Sequence, residues 1–387
     1  MKYDDRYIVE LSRAAIFDDT PFTPKEETDW NYIYNKSVEQ NIAGLLFSAV
    51  NKLPSENKPK GELLSLWWDN MVSTVITTSR QYDEFLKMAK ILNGSDIKIV
   101  VLKGGAVRGL YAVPELRTMG DFDVLADKSD MKKITKTFEN EGYKITKQLF
   151  GIIAENGEVS WDIFTSLEEE FAVNTEKYNK QIYNNAQRCG DYYIPRKTDL
   201  LAHILVHTGK HFITEGAGIR NLCDAAVMLK TTEFEDISAI KDICEDQNFR
   251  KVYDYIMSAV EDYYGVKPSG LEYEHRGSET FVEYMLTNGI FGKHDNVLLR
   301  QFSLDENEDT HGLIRLLFPP VSNLENRYKY LKKMPFLLPI AWIQRIFYGR
   351  FGKKVRFTQM LKDVRGASEF SEERIKWLKK LDLQDKH

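Results

Sequence analysis

The chain has 387 residues, 43% hydrophobic and 29% charged, and its length predicts two or three packed units rather than one core. A formal net charge of -5 excludes a general pull toward nucleic acid, no stretch offers the roughly 20 apolar residues needed to span a bilayer, and the acidic start MKYDDRYIVELSRAAIF does not read as a signal peptide. Three scattered cysteines, Cys189, Cys223 and Cys244, fit neither a disulfide framework nor a zinc knuckle, so a reducing cytoplasm is the expected setting.

Residues 1–92 read as a helical region. Leu63, Leu66, Trp67, Met71, Val75, Tyr82, Phe85, Ala89 and Leu92 recur at spacings of three, four and seven, which predicts one apolar helix face. Asn93-Gly94 is the expected stop, because both residues tolerate a left-handed backbone. Residues 93–195 then form the expected catalytic domain. Ile97 and the run Ile99 to Leu102 predict a buried strand, broken by Gly104 and Gly105, after which Ala106 to Tyr111 can start a helix. Phe122 to Ala126 predicts a second strand, and Ser129 is placed as the cap of a helix running to Asn140, with Gly142 as its stop. Asn156-Gly157 lies between the strand-like runs 152–155 and 159–164, a hairpin signal in which both turn residues are expected at positive φ. The order strand, helix, strand, helix, hairpin predicts an α+β fold, a small mixed sheet with helices on one face. Residues 196–387 read as a second helical region, with apolar periodicity at 199–211, 219–230 and 281–287, loops at 231–238 and 304–309, and a boundary at Pro319-Pro320.

The chemistry concentrates on three aspartates, a glycine turn and an arginine. In Asp121-Phe122-Asp123 the two carboxylates share one strand face, about 7 Å apart at their α-carbons, while Phe122 and Val124 point the opposite way. Carboxylates that converge repel unless a cation lies between them, and magnesium, a hard cation, suits such oxygen ligands. Val159, Trp161 and Ile163 form an apolar stripe, so Asp162 faces away from them as a third acid. Three such acids can hold two metal ions, and Asp162 can take the proton from an attacking hydroxyl. Lys103-Gly104-Gly105 sits where strand passes into helix. Glycines there let backbone N–H groups approach a phosphate, and Lys103 adds a point charge. The spacing is neither a Walker loop nor a dinucleotide fingerprint. Arg117 offers a bidentate grip on phosphate.

Together these residues resemble the polymerase beta nucleotidyltransferase superfamily, and LKGGAVRGLYAVPELRTMGDFDVLAD (102–127) resembles more closely the uncharacterised bacterial nucleotidyltransferase family. The matching positions are Lys103-Gly104, Tyr111, Arg117 and the strand Asp121 to Leu125, with weaker echoes in Asp162, 200–211, 218–229, 316–320 and 337–347. The resemblance implies a small polymerase beta-like core flanked by N-terminal and C-terminal helical regions. It implies transfer of a nucleoside monophosphate from an NTP, ATP or another, to an acceptor hydroxyl, with Mg2+ or Mn2+ as cofactor and pyrophosphate as product. Asp121, Asp123 and Asp162 would be catalytic and metal-binding; Lys103, Gly104, Gly105 and Arg117 would hold the triphosphate. The sequence departs from the superfamily's usual Gly-Ser turn, because Gly105 stands where the hydroxyl is expected.

The acceptor (small molecule, RNA or protein) and the oligomeric state are not legible. Alternative readings are a non-catalytic nucleotide-binding or regulatory module and a toxin-like modifier of RNA or protein. His203, His207 and His211, spaced by four, share a helix face that reads as cleft lining rather than a zinc site. Lys210 and Asp224 are placed either at the nucleotide or acceptor or in a structural ion pair. Segment 326–362 holds ten Lys or Arg and no acid, interleaved with aromatics. It is read either as a docking surface for RNA, an acidic partner or a membrane interface, or as an amphipathic helix packed on the body.

Overall fold

The structure, a computed structural model, describes residues 1–148, 150–167, 175–214, 216–231, 237–244, 247–267, 270–288, 330, 334–341 and 376–383. The chain separates into two compact units, 1–212 with 216–290 and 213–215 with 291–387. In the second unit the described residues include a 3-10 turn at Pro335–Leu337. The rest of the basic segment 326–362, apart from Tyr330 and 334–341, lies outside the described residues, as do the expected loop 304–309 and most of 231–238.

The first unit opens with helices α1 (Tyr3–Phe17), α2 (Trp30–Glu39), α3 (Ala43–Val50) and α4 (Glu62–Asn93). The apolar face expected along α4 is present, with Trp67 fully buried and Leu66 its one exposed member. Phe85, Met88, Ala89 and Leu92 enter the core, whereas Leu66 is 51% exposed. Gly94 stays right-handed at φ -63°. The left-handed residue is Asp96, at φ 54°, whose short polar side chain tolerates that conformation.

Seven strands follow: β1 (Ile99–Val101), β2 (Phe122–Ala126), β3 (Lys144–Lys147), β4 (Gly151–Glu155), β5 (Ser160–Phe164), β6 (Gln187–Cys189) and β7 (Tyr192–Ile194). They form one mixed sheet in the order β3-β4-β5-β2-β1-β7-β6. At its centre β2 runs antiparallel to β1 and parallel to β5, with Asp123 directly opposite Asp162. Between these strands lie α5 (Lys103–Val107), α6 (Met131–Asn140) and α7 (Thr175–Asn184).

Strand alternation sends Phe122, Val124, Trp161 and Ile163 to one face, where they pack with Phe85, Leu92, Ile134 and Phe138 of α4 and α6. Phe85 stacks on both Phe122 (4.5 Å) and Trp161 (5.1 Å). The other face carries Val100, Leu102 and Leu125 against Tyr178 and Ile182 of α7. Helices therefore cover both faces, not the single face expected, because Val100, Leu102 and Leu125 give the second face an apolar patch beside its acids.

Two local expectations also change. Asp127, not Ser129, caps the entry to α6, since the Ser129 backbone N–H and hydroxyl both donate to its Oδ1 (2.8 and 2.6 Å). In the β4–β5 hairpin only Gly157 has positive φ, at 90°. Asn156 instead accepts from the backbone N–H groups of Glu158 and Val159 through its side-chain oxygen, which closes the turn without a left-handed asparagine.

Helices α8 (Lys197–Thr214), α9 (Ile219–Thr231), α10 (Ser238–Ile243), α11 (Gln247–Tyr264) and α12 (Glu279–Asn288) complete the first unit. There α9 packs against α1, α11 and α12, and also against α5, which follows the inner strand β1. Among the described residues no helix is long and apolar enough to cross a membrane. Cys189, Cys223 and Cys244 are all free thiols.

Candidate active site

The strand that builds the core also builds the site. Phe122 and Val124 are sealed against α4 and α6, so Asp121 and Asp123 are turned to the other face. Across the parallel β2–β5 pairing, Asp162 stands beside Asp123 for the same reason, since its neighbours Trp161 and Ile163 are fully buried. The three carboxylates each offer an oxygen, and these atoms lie within 4.8 Å of one another. No other group of three or more acid, histidine or cysteine ligands is found among the described residues.

Burial and the neighbouring anions raise the proton affinity of Asp162 and Asp121. Asp162 is pushed up to about 7, first by burial and then by Asp123 and Asp121, with Lys103 opposing. Asp121 is raised by burial and Asp123, opposed by Lys103 and Arg220. Asp162 Oδ1 is buried with no hydrogen-bond partner among the described residues. An orphaned carboxylate oxygen inside a cluster of like charge is costly. A hard divalent cation removes both costs, so the donor set fits one.

Lys103 supplies the counter-charge. Its Nζ donates to Asp123 Oδ1 at 2.8 Å. The residue lies at the β1–α5 junction with φ 46°, a left-handed conformation that costs a lysine about 1–2 kcal/mol. Around it Leu102 and Gly104 are buried, and the Leu102 N–H donates to the Asp123 carbonyl at 2.9 Å. The strain thus sits where the backbone is pinned on both sides, as it does at many functional sites.

The two glycines are required by space. A Cβ on Gly104 would fall 2.4 Å from Arg117 Nη1, and one on Gly105 would fall 2.6 Å from Val101 Cγ1. Arg117, offered to a triphosphate by the sequence reading, lies instead on Asp224. Its Nη2 donates to Asp224 Oδ2 at 2.5 Å, its Nε to Oδ1 at 3.1 Å and its Nη1 to the Thr118 carbonyl at 2.6 Å. The Tyr111 hydroxyl donates to the same Asp224 Oδ1 at 2.6 Å. Of the alternatives held open for Asp224, the ion pair is the one present. The structure therefore gathers Asp121, Asp123, Asp162 and Lys103, places Gly104 and Gly105 beneath them, and turns Arg117 inward.

Arg220 was not singled out from sequence, although it lies in the 218–229 stretch that carries Asp224. It sits in the first turn of α9 and, with Lys103, is one of the two cations that oppose the rise at Asp121. A lone arginine near a helix start has no spacing signature that could have flagged it. His203, His207 and His211 stack along α8 with ring separations of 6.3 and 4.2 Å, and His203 Nδ1 lies 3.0 Å from the Tyr178 hydroxyl. Burial, and then Lys103, hold His207 well below the usual histidine range.

Comparison with known proteins gives the following. A family described as "Uncharacterised nucleotidyltransferase" matches residues 26–265. No curated protein matches the chain. Among solved structures, the solution structure of the antibiotic-resistance factor ANT(2'')-Ia aligns at 12% identity, covering 51% of this chain and 94% of that one, with a TM-score of 0.24. A likeness that loose carries no weight for the chemistry.

Proposed function

The chain belongs to the uncharacterised nucleotidyltransferase family, and from that premise we propose that it is a magnesium-dependent nucleotidyltransferase. It moves a nucleoside monophosphate from an NTP to an acceptor hydroxyl and releases pyrophosphate. The single observation that carries this reading is the acid cluster, three carboxylates within 4.8 Å around the unpartnered Asp162 Oδ1, with Lys103 beside them.

Asp121, Asp123 and Asp162 hold the divalent cations, magnesium or manganese. When bound, such ions neutralise charge on the phosphate oxygens and orient them for displacement. Lys103 holds the phosphate chain at the turn as a mobile point charge. Gly104 and Gly105 let the turn sit close against β1, β2 and Arg117, so the Lys103 amine and the carboxylates face one space. Arg117, spent on Asp224, braces that turn. The acceptor oxygen forms its bond to the α-phosphorus as the bond to the bridging oxygen breaks. The acceptor proton passes to Asp162, and the electron pair leaves with pyrophosphate.

The test is Asp121→Asn, read by pyrophosphate release with magnesium and each NTP in turn, using cell lysate as the source of acceptors. Wild-type protein is expected to label one class of molecule, and the variant none. Turnover in the variant equal to wild type sinks the reading. Tight nucleotide binding by the wild type without release from any acceptor class would instead make the chain a binding module. Whether labelled NTP enters small molecules, RNA or protein identifies the acceptor class.

A further inference from the structure

Two arginines meet at one backbone oxygen beside the acid cluster. Arg117 Nη1 donates to the Thr118 carbonyl at 2.6 Å, and Arg220 Nη1 donates to the same oxygen at 3.0 Å and to the Thr118 hydroxyl at 3.2 Å. Thr118 is itself tied down, its hydroxyl donating to the Asn41 carbonyl at 2.7 Å.

Beyond that shared contact the two guanidiniums differ. Arg117 is buried and places its remaining donors on Asp224. Arg220 is partly exposed. Among the described residues it makes no ion pair, and its only hydrogen bonds are those of Nη1 to Thr118, which leaves Nε and Nη2 unengaged there. Burial, and next the nearby Arg117, push its pKa down to about 10. Bringing a second guanidinium against Arg117 without a carboxylate of its own costs free energy. An anion supplied from outside would offset that cost.

The place where that anion would sit is also constrained. Arg220 hangs from Thr118, three residues before Asp121, and the two side chains feel each other electrostatically. Lys103 approaches the cluster at Asp123. A polyanion bridged to the carboxylates by cations would therefore meet one point charge and one open fork. An arginine fork matches phosphate geometry bidentately.

We propose that Arg220 is a phosphate-binding side chain of this site, presenting Nε and Nη2 to the phosphate chain of a metal-bound nucleotide. The assignment rests on the nucleotidyltransferase reading and adds a residue to it. It also separates two jobs, since Arg117 holds the turn and Arg220 holds the ligand.

The experiment uses the full chain and two probes, Mn2+ alone and inorganic pyrophosphate with saturating Mg2+, each titrated by calorimetry. Arg220→Gln should weaken pyrophosphate binding about 10- to 100-fold, the loss expected for charge-assisted hydrogen bonds. It should leave Mn2+ affinity unchanged or slightly improved, because a positive charge near the acids has gone. Arg220→Lys keeps the charge but not the fork, and should fall between wild type and Arg220→Gln. Equal pyrophosphate affinity in wild type and Arg220→Gln overturns the assignment. So does a joint loss of both probes with a lowered melting temperature in both variants, because that marks a structural role. Wild-type protein that takes up neither probe overturns the nucleotidyltransferase reading itself.

Discussion

Two clusters of charge lie close to the short helix α5, and they follow opposite rules. Beneath it, Arg117, Asp224 and Tyr111 form a closed set, one cation and one anion, buried, with the carboxylate fully engaged by donors. Burial works against the charge on Arg117, but Asp224 outweighs it and holds the guanidinium protonated. Above it, Asp121, Asp123 and Asp162 set three anions against Lys103, and one of their oxygens has no hydrogen-bond partner among the described residues. A balanced buried cluster fixes geometry; an unbalanced one is poised for a ligand that completes it. The charged residues around α5 thus divide by local charge balance rather than by nearness to the site.

The sharpest way to break this division is to neutralise one member of each cluster. Asp121→Asn should reduce nucleotide turnover by about 100- to 1,000-fold, the scale of a lost electrostatic contact to the transition state. Its melting temperature without metal should stay level or rise, because a like charge has been removed. Arg117→Met should do the reverse to stability. It leaves Asp224 buried against Tyr111 alone, a loss of about 3–5 kcal/mol measured by denaturant unfolding. Replacing both partners, as Arg117→Met with Asp224→Leu, should recover most of that loss, because no buried charge remains unpaired. If Asp121→Asn destabilises as much as Arg117→Met, the two clusters are one structural network and the division fails.

A smaller effect links the clusters. Gly104→Ala puts a methyl 2.4 Å from Arg117 Nη1, and the guanidinium cannot swing away without leaving Asp224. The expected cost is about 1–3 kcal/mol, as for other overpacked sites. In the Arg117→Met, Asp224→Leu background that cost should fall, since a flexible methionine replaces a pinned fork. An unchanged cost would mean that Gly104 answers to something other than Arg117.

Part of this was legible in the sequence, and the division explains which part. The bounds of β2 were read correctly, and the acids were placed together, because alternation of Phe122, Val124, Trp161 and Ile163 dictates where Asp121, Asp123 and Asp162 must point. Strands β3 and β6 escaped because Lys144–Lys147 and Gln187–Cys189 lie at the sheet's edges and are mostly exposed, so burial imposes no alternation on them. The arginines are harder still. Arg117 lies four residues before Asp121, whereas Arg220 lies on a later helix, 58 residues beyond Asp162. Only the packing of α9 on α5 shows that the first is engaged and the second is open.

The finest test of the contrast is pH, since Asp162 of the open cluster is pushed up to about 7. Asp162 titrates at about 7 in the folded protein, against 3.8 for an ordinary aspartate, raised first by burial and then by Asp123 and Asp121. Above pH 7 the folded protein therefore carries an anion that its own interior disfavours, while the unfolded chain carries the same anion in water. That penalty lifts as pH falls through 7 and is gone below about 3.8, so Asp162 makes the fold more stable as the solution becomes more acid. Asp121 shifts in the same direction. Without divalent cations the melting temperature should climb by a few degrees from pH 8 to pH 6. Asp162→Asn should flatten that climb. Magnesium acts against the proton, because a cation favours the ionised acids, so its stabilising effect should be larger at pH 8 than at pH 6. A metal-free melting curve that is flat across this range, or a magnesium effect that grows on acidification, would mean that the three carboxylates do not share one charge-poor pocket. The open cluster would then be no more receptive to a cation than the closed one beneath it.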